Sequence, residues 1–187
     1  PPPAASEPAR QVVQVQSTAI ITRRAFLSLP ACAISASSSA AAAQPGKLDA
    51  PNVVPISPRL FTSGQPTAAA LAQLASQGFG AVIYLAPPTV SDAVADEGSI
   101  VERQGLVYVN IPIKFNSPTE SDFESFVTAM AKVADRNVLV HCQVNLRASS
   151  MVFLHRVIVG KEPPERAYEA VAKIWSPDGP WKALMVG

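Results

Sequence analysis

Cys142 and Arg147 stand five positions apart in the stretch NVLVHCQVNLRASSMVFLHRVI, from Asn137 to Ile158. A thiol becomes a useful nucleophile only as the thiolate, and an arginine fork is the side chain best matched to a tetrahedral oxyanion. Between them lie Gln143, Val144, Asn145 and Leu146, and His141 precedes the cysteine. The run Val138, Leu139, Val140 reads as a buried strand, and the apolar positions after Arg147 read as a helix burying Met151, Leu154 and Ile158. A strand-to-helix turn presents backbone amides and the positive end of the helix dipole, so it can cradle an anion above the cysteine. The chemistry expected is covalent. Cys142 would attack phosphorus or accept sulfur, Arg147 would clamp two oxygens, and amides from Gln143 to Arg147 would stabilise developing charge. His141, at the end of the strand, is expected to face inward and order the loop. Gln143 and Asn145 could contact substrate, orient water or be solvated loop residues.

The elements that must hold this loop follow from the rest of the chain. Arg59–Ser63 has strand character, and Gly64-Gln65-Pro66-Thr67 turns into a helix carrying Ala70, Leu71 and Leu74 and ending at Gly78. Ala81–Ala86 is a short apolar run typical of a strand covered on both faces. Ser91-Asp92 starts a helix that Gly105 stops, and Leu106–Ile113 is the next strand. Thr119 is placed as a helix cap with Asp122 three residues on, ahead of the stripe Phe123, Phe126, Val127, Met130 and Val133. Pro163-Pro164-Glu165 opens a helix expected to reach Trp175, and a tail with Trp181 follows. Short strands alternating with helices predict an α/β fold, a small mostly parallel sheet flanked by helices on both faces, with the cysteine loop at a carboxyl end of a strand.

Residues 1–43 read differently. Pro1–Gln16 is proline- and alanine-rich, and Thr22-Arg23-Arg24-Ala25-Phe26-Leu27 precedes the weakly apolar run 28–43 with small residues at its end. This order predicts a twin-arginine export signal cut before Gln44, a single domain over 44–187, and a periplasmic or secreted product. Leu29-Pro30-Ala31-Cys32 also resembles a lipoprotein acceptor site faintly, but too little apolar core separates it from the arginines. The chain holds 15 basic and 14 acidic residues; without Arg10, Arg23, Arg24 and Glu7 the balance is 12 to 13. A near-neutral domain without a basic run predicts neither nucleic-acid binding nor an anionic membrane surface as partner. No stretch predicts a span after signal removal, and the partner expected is a phosphorylated substrate of unspecified class. Once Cys32 is removed, Cys142 cannot form a disulfide within its own chain, which suits a reactive thiol. One histidine beside one cysteine is no zinc cage, and no cofactor motif is present.

The loop HCQVNLRAS resembles the signature loop of cysteine-dependent phosphatases of the tyrosine and dual-specificity type. FTSGQPT, AVIYLA, DEGSIVERQGLVYVNIPI and PTESDFESF are similar to a small bacterial phosphatase-like family related to the domain found with β-lactamase-like hydrolases. The resemblance runs from about Asn52 to Trp175. It implies Cys142 as nucleophile, Arg147 as the phosphate-binding arginine, and His141, Gln143, Val144, Asn145, Leu146 and Arg147 as the phosphate site. The implied reaction is hydrolysis of a phosphomonoester, protein tyrosine phosphate among them, through a phosphocysteine.

Three departures qualify the transfer. The usual phosphatase loop has five residues between cysteine and arginine, whereas four also occur in rhodanese-like sulfurtransferases. No glycine relieves the turn, so strain is expected at Val144 or Leu146. Ala148 stands where a hydroxyl often follows the arginine, with Ser149 one place on. The acid that protonates the leaving oxygen is also not evident, because the loop Lys114–Pro118 has no carboxylate before Glu120 and Asp122. Glu120 is one candidate; Asp122 is expected to be committed to capping. Asp92, Asp96 and Glu97 lie beyond another strand end as further candidates. His155, Trp175 and Trp181 read as packing residues, with the tryptophans as candidates for the pocket rim. Phosphatase is the leading reading, with a persulfide-forming sulfurtransferase and a non-catalytic oxyanion- or partner-binding domain as alternatives.

Overall fold

A computed structural model describes residues 48–186. The leader, its twin arginine and the expected cleavage point lie outside the described residues. Five strands form one sheet: β1 (Val54–Ser57), β2 (Leu60–Ser63), β3 (Ala81–Tyr84), β4 (Val107–Asn110) and β5 (Val138–His141). Their order is β1-β2-β5-β3-β4. The β2–β5, β5–β3 and β3–β4 pairs are parallel, and β1 joins β2 antiparallel through a tight turn. The sheet is therefore mixed, mostly parallel with one antiparallel edge. The central pair is in register such that Ser63 and Tyr84 flank His141 on either side. That register brings the carboxyl ends of three strands together where β5 runs into the cysteine loop.

Helices cover both faces because side chains alternate across each strand. Val82 and Leu139 pack with Leu71, Leu74 and Val101 under α1 (Ala68–Leu71) and α2 (Glu97–Glu102). Ala81, Ile83, Val138 and Val140 pack on the other face against α3 (Glu120–Lys132), α4 (Leu146–Leu154), α5 (Pro164–Ala172) and α6 (Gly179–Val186), through Phe126, Met151, Ala167 and Trp181. Leu139 and Val140 have no exposed surface, and complete burial of such a side chain contributes roughly 1.5–3 kcal/mol.

Several elements are shorter than their sequence pattern predicts, for identifiable reasons. α1 ends at Leu71 rather than Gly78, because Gln104 substitutes for helical partners: its Nε2 donates to Leu71 O at 2.7 Å and its Oε1 accepts from Ala75 N at 3.1 Å. Leu74 is buried all the same. α2 begins at Glu97, not at Ser91, after Asp96 takes a left-handed conformation at φ 55°. Gly105, at φ 78°, stops it as expected. The strand expected over 106–113 narrows to β4, since Pro112 has no amide to donate. α4 passes into a π-helical turn, His155–Val159. The wider turn rotates the helix face, so Ile158 is 47 % exposed instead of buried. α5 closes at Ala172, short of Trp175, and the tail beyond forms α6.

Candidate active site

The cysteine loop is built from β5 and the first turn of α4, with neighbouring chain segments holding it at three points. Gln65 N donates to Gln143 O at 2.9 Å, Asn52 Nδ2 donates to Val144 O at 3.0 Å, and Cys142 N donates to Ser63 O at 3.3 Å. Gly64 lies so near the loop that a Cβ there would sit 2.7 Å from Gln143 O and 3.1 Å from Val144 Cα. Only glycine allows that approach.

The loop turns at Asn145, with φ 73°. Asparagine is among the few side chains that occupy the left-handed region readily. This replaces the expected strain at Val144 or Leu146, and it shows how a loop without glycine closes. The Asn145 side chain is fully buried and points behind the loop. Its Nδ2 donates to Asn52 O at 2.7 Å and to Thr62 Oγ1 at 3.0 Å. α4 then starts at Leu146, and the first amides of a helix have no acceptor within it.

In front of the loop is a cavity of about 420 Å3 lined by Cys142, Gln143, Val144, Leu146 and Arg147 together with Ser91, Asp92 and Phe115. Cys142 has no water-accessible surface, so its sulfur forms the floor just below the open space. Arg147 is nearly buried and firmly held. Its Nε donates to Ile113 O at 3.1 Å, and its guanidinium carbon lies 5.2 Å from the Phe115 ring centre. Both terminal nitrogens reach Gln143 Oε1 at 3.3 and 3.4 Å, long contacts to a neutral acceptor that an anion would displace. Phe115 is braced from behind: Trp181 Nε1 donates to Phe115 O at 2.8 Å, and the rings of Trp175 and Trp181 lie 6.1 and 6.0 Å away. Neither tryptophan lines the cavity rim.

Glu120 and Asp122, the candidate acids next to the Lys114–Pro118 loop, lie elsewhere. Asp122 Oδ2 accepts from Thr119 N at 2.8 Å and Thr119 Oγ1 at 2.7 Å, closing the capping box of α3. Glu120 lines a separate cavity with Pro118, Phe123 and Leu154. Asp92 is the carboxylate that lines the cysteine cavity, and its Oδ1 accepts from Gln143 Nε2 at 2.7 Å. Gln143 thus links Asp92 on one side to Arg147 on the other.

His141 and Asn145 are absent from the cavity wall, because the strand register and the left-handed turn send their side chains inward. His141 is fully buried and stacks on Tyr84 with ring centres 4.7 Å apart; its Nε2 lies 2.8 Å from Glu97 Oε1. Burial holds the Tyr84 phenol well above its ordinary range, with Glu97 and Asp92 adding to the shift. Phe115, Ser91 and Gly64 were not singled out from the sequence as site residues. Phe115 does sit in the Lys114–Pro118 loop where an acid is expected, and Gly64 in the FTSGQPT segment that carries the family resemblance.

A mixed α/β sandwich with a cysteine–arginine loop at the end of its central strand defines a protein of the phosphatase-like class. Residues 49–175 match the family described as a DSP-PTPase phosphatase fused to NAD+ kinase, and the chain belongs to that family. A β-lactamase hydrolase-like protein of Xylella fastidiosa (strain Temecula1) is 34 % identical over 113 residues, 58 % of this chain and 26 % of that protein. The chain therefore spans about a quarter of the curated relatives it matches. A phosphatase-like (DUF442) protein of Shewanella putrefaciens CN-32 superposes with a TM-score of 0.67 at 31 % identity, covering 73 % of this chain and 88 % of that one. Tk-PTP in its active form shares the fold at 18 % identity, with a TM-score of 0.60 over 73 % of this chain and 94 % of that one.

Proposed function

We propose that this protein hydrolyses phosphomonoesters through a phosphocysteine on Cys142. The observation that carries the reading is the shared cavity: the thiol in the floor, with Arg147 and the Asp92 carboxylate lining it and both bound to Gln143. The phosphate displaces Gln143 Oε1 from Arg147, exchanging a neutral contact for charge-assisted ones. The Cys142 sulfur attacks phosphorus as the ester P–O bond breaks, and Asp92 delivers a proton to the departing oxygen. Water then attacks the phosphocysteine with its proton returning to Asp92, which releases phosphate and the thiolate. Because Cys142 has no exposed surface, attack requires a small outward displacement of the side chains above it.

Export is part of the same reading. Arg23-Arg24 would direct the chain across the membrane, and R23K/R24K would leave it uncleaved in the cytoplasm.

Hydrolysis of p-nitrophenyl phosphate by the wild type and its loss in Cys142→Ser test the mechanism, and unchanged turnover in that variant refutes it. A thiosulfate-dependent persulfide on Cys142 without phosphate release would instead favour sulfur transfer.

A further inference from the structure

We infer that Glu97 is a positioning residue that aims the Cys142 loop by holding the residues on both sides of the nucleophile. This rests on the reading of Cys142 as the nucleophile. Glu97 begins α2, yet it is only 5 % exposed and lies outside the cysteine cavity. A carboxylate is costly to bury unless it is paired and hydrogen-bonded. Both of its oxygens are engaged. Oε1 is 2.8 Å from His141 Nε2, and Oε2 accepts from Gln65 Nε2 at 2.7 Å.

Those two partners flank the cysteine. His141 is the residue before Cys142, its ring pinned between Glu97 and the face of Tyr84. Gln65 grips the residue after it, through the 2.9 Å bond from its backbone N to Gln143 O. One carboxylate therefore fixes both shoulders of the nucleophile from behind. With both oxygens occupied and no access to the cavity, Glu97 is in no position to act as the proton donor. A buried hydrogen-bonded carboxylate is weak evidence for stability by itself; its place against residues 141 and 143 is what assigns it a role in aiming the loop. Arg147 is anchored independently, by Ile113 O and by Phe115. Disturbing Glu97 should therefore change the rate of attack more than the binding of phosphate.

The substitutions E97M and E97Q fill nearly the same volume but differ in polarity. In E97Q the amide can still accept from His141. Gln65 can flip to accept from the new NH2 through its Oε1, which is buried and unpartnered among the described residues. On p-nitrophenyl phosphate, E97M should lower kcat about tenfold with KM changed less than about threefold, because a misaimed nucleophile loses rate rather than affinity. E97Q should recover most of that loss, to within about threefold of the wild type. In a cycle with H141F, the loss in the double variant E97M/H141F should fall at least about threefold short of the product of the two single losses, since part of the Glu97 effect runs through His141 and the rest through Gln65. Alkylation of Cys142 by iodoacetamide, read on its own peptide by mass spectrometry, should change in E97M by about threefold or more at fixed pH. Thermal melts establish that each variant is folded at the assay temperature.

The inference is overturned if E97M leaves both kcat and alkylation within twofold of the wild type, or if the losses of E97M and H141F multiply. Should E97M melt below the assay temperature, Gln65→Met decides, since it removes the second contact of the Glu97 carboxylate and keeps the backbone bond to Gln143 O: kcat and alkylation within twofold of the wild type overturn the inference. Should the wild type hydrolyse no phosphoester, the phosphatase reading fails while the alkylation comparison still decides the role of Glu97.

Discussion

Asn145 offers the sharpest test of how this loop is held, because it has two separable tasks. Its backbone lies at φ 73°, and its buried Nδ2 donates at 2.7 Å to Asn52 O and at 3.0 Å to Thr62 Oγ1. Losing two such bonds costs about 2 kcal/mol, since each contributes roughly 1 kcal/mol net. An alanine at positive φ adds about 1 kcal/mol, which asparagine and glycine largely avoid. Asn145→Ala should therefore destabilise by about 3 kcal/mol, and Asn145→Gly by about 2 kcal/mol, because glycine loses the bonds but not the conformation. At roughly 3 °C per kcal/mol for a domain of this size, melting should fall by about 9 °C and 6 °C. Asn145→Asp should be worse than glycine, because a carboxylate has no proton to offer Asn52 O and sets a charge in a buried site, even though the Thr62 hydroxyl can turn to donate to it. Calorimetric or circular-dichroism melts of the three variants, with phosphatase rates alongside, provide the measurement. Equal melting for alanine and glycine would refute the conformational part, and an aspartate variant as stable as the wild type would refute the hydrogen-bond part.

Three further outcomes follow from the same geometry. Gly64→Ala should lower stability by about 1–3 kcal/mol and depress turnover, because the new Cβ meets Gln143 O at 2.7 Å and overpacking costs about that much; unchanged melting and rate would show that the loop yields freely. Asp92→Asn should slow esters with poor leaving groups far more than p-nitrophenyl phosphate, since a good leaving group needs little protonation; equal slowing of both classes would remove Asp92 from the acid role. Glu162 accepts bonds from Arg156 Nε and Nη2 at 2.8 and 2.7 Å, which hold its carboxyl below the ordinary range. A depressed folded pKa gives stability present above the unfolded value and lost as pH falls through the folded one. The melting advantage of the wild type over Glu162→Gln should thus shrink on acidification below about pH 4.5; an advantage independent of pH would exclude the linkage.

The sequence by itself determined the pieces whose causes are local. Val138–Val140 are apolar on both faces and became a central strand, and Thr119 with Asp122 closed a capping box through neighbours three residues apart. The helix stop at Gly105 and the stripe of α3 are equally short-range, set by backbone freedom and helical period. Cys142 and Arg147 could be brought together by one turn, so their common cavity was legible from spacing alone. What only the tertiary structure decided depends on segments far apart in the chain. Asp92 rather than Glu120 lines the cysteine cavity because the end of β3 lies beside the end of β5, a neighbour relation that no local pattern encodes. Glu97 stands beside Asp92 and Asp96 as a candidate acid in the sequence, until the sheet register carries His141 beneath it and both its oxygens are taken. Gln104 cutting short α1 and the π-helical turn exposing Ile158 are likewise long-range or packing effects. Local sequence fixes which backbone and side-chain groups are available; sheet order decides which of them meet.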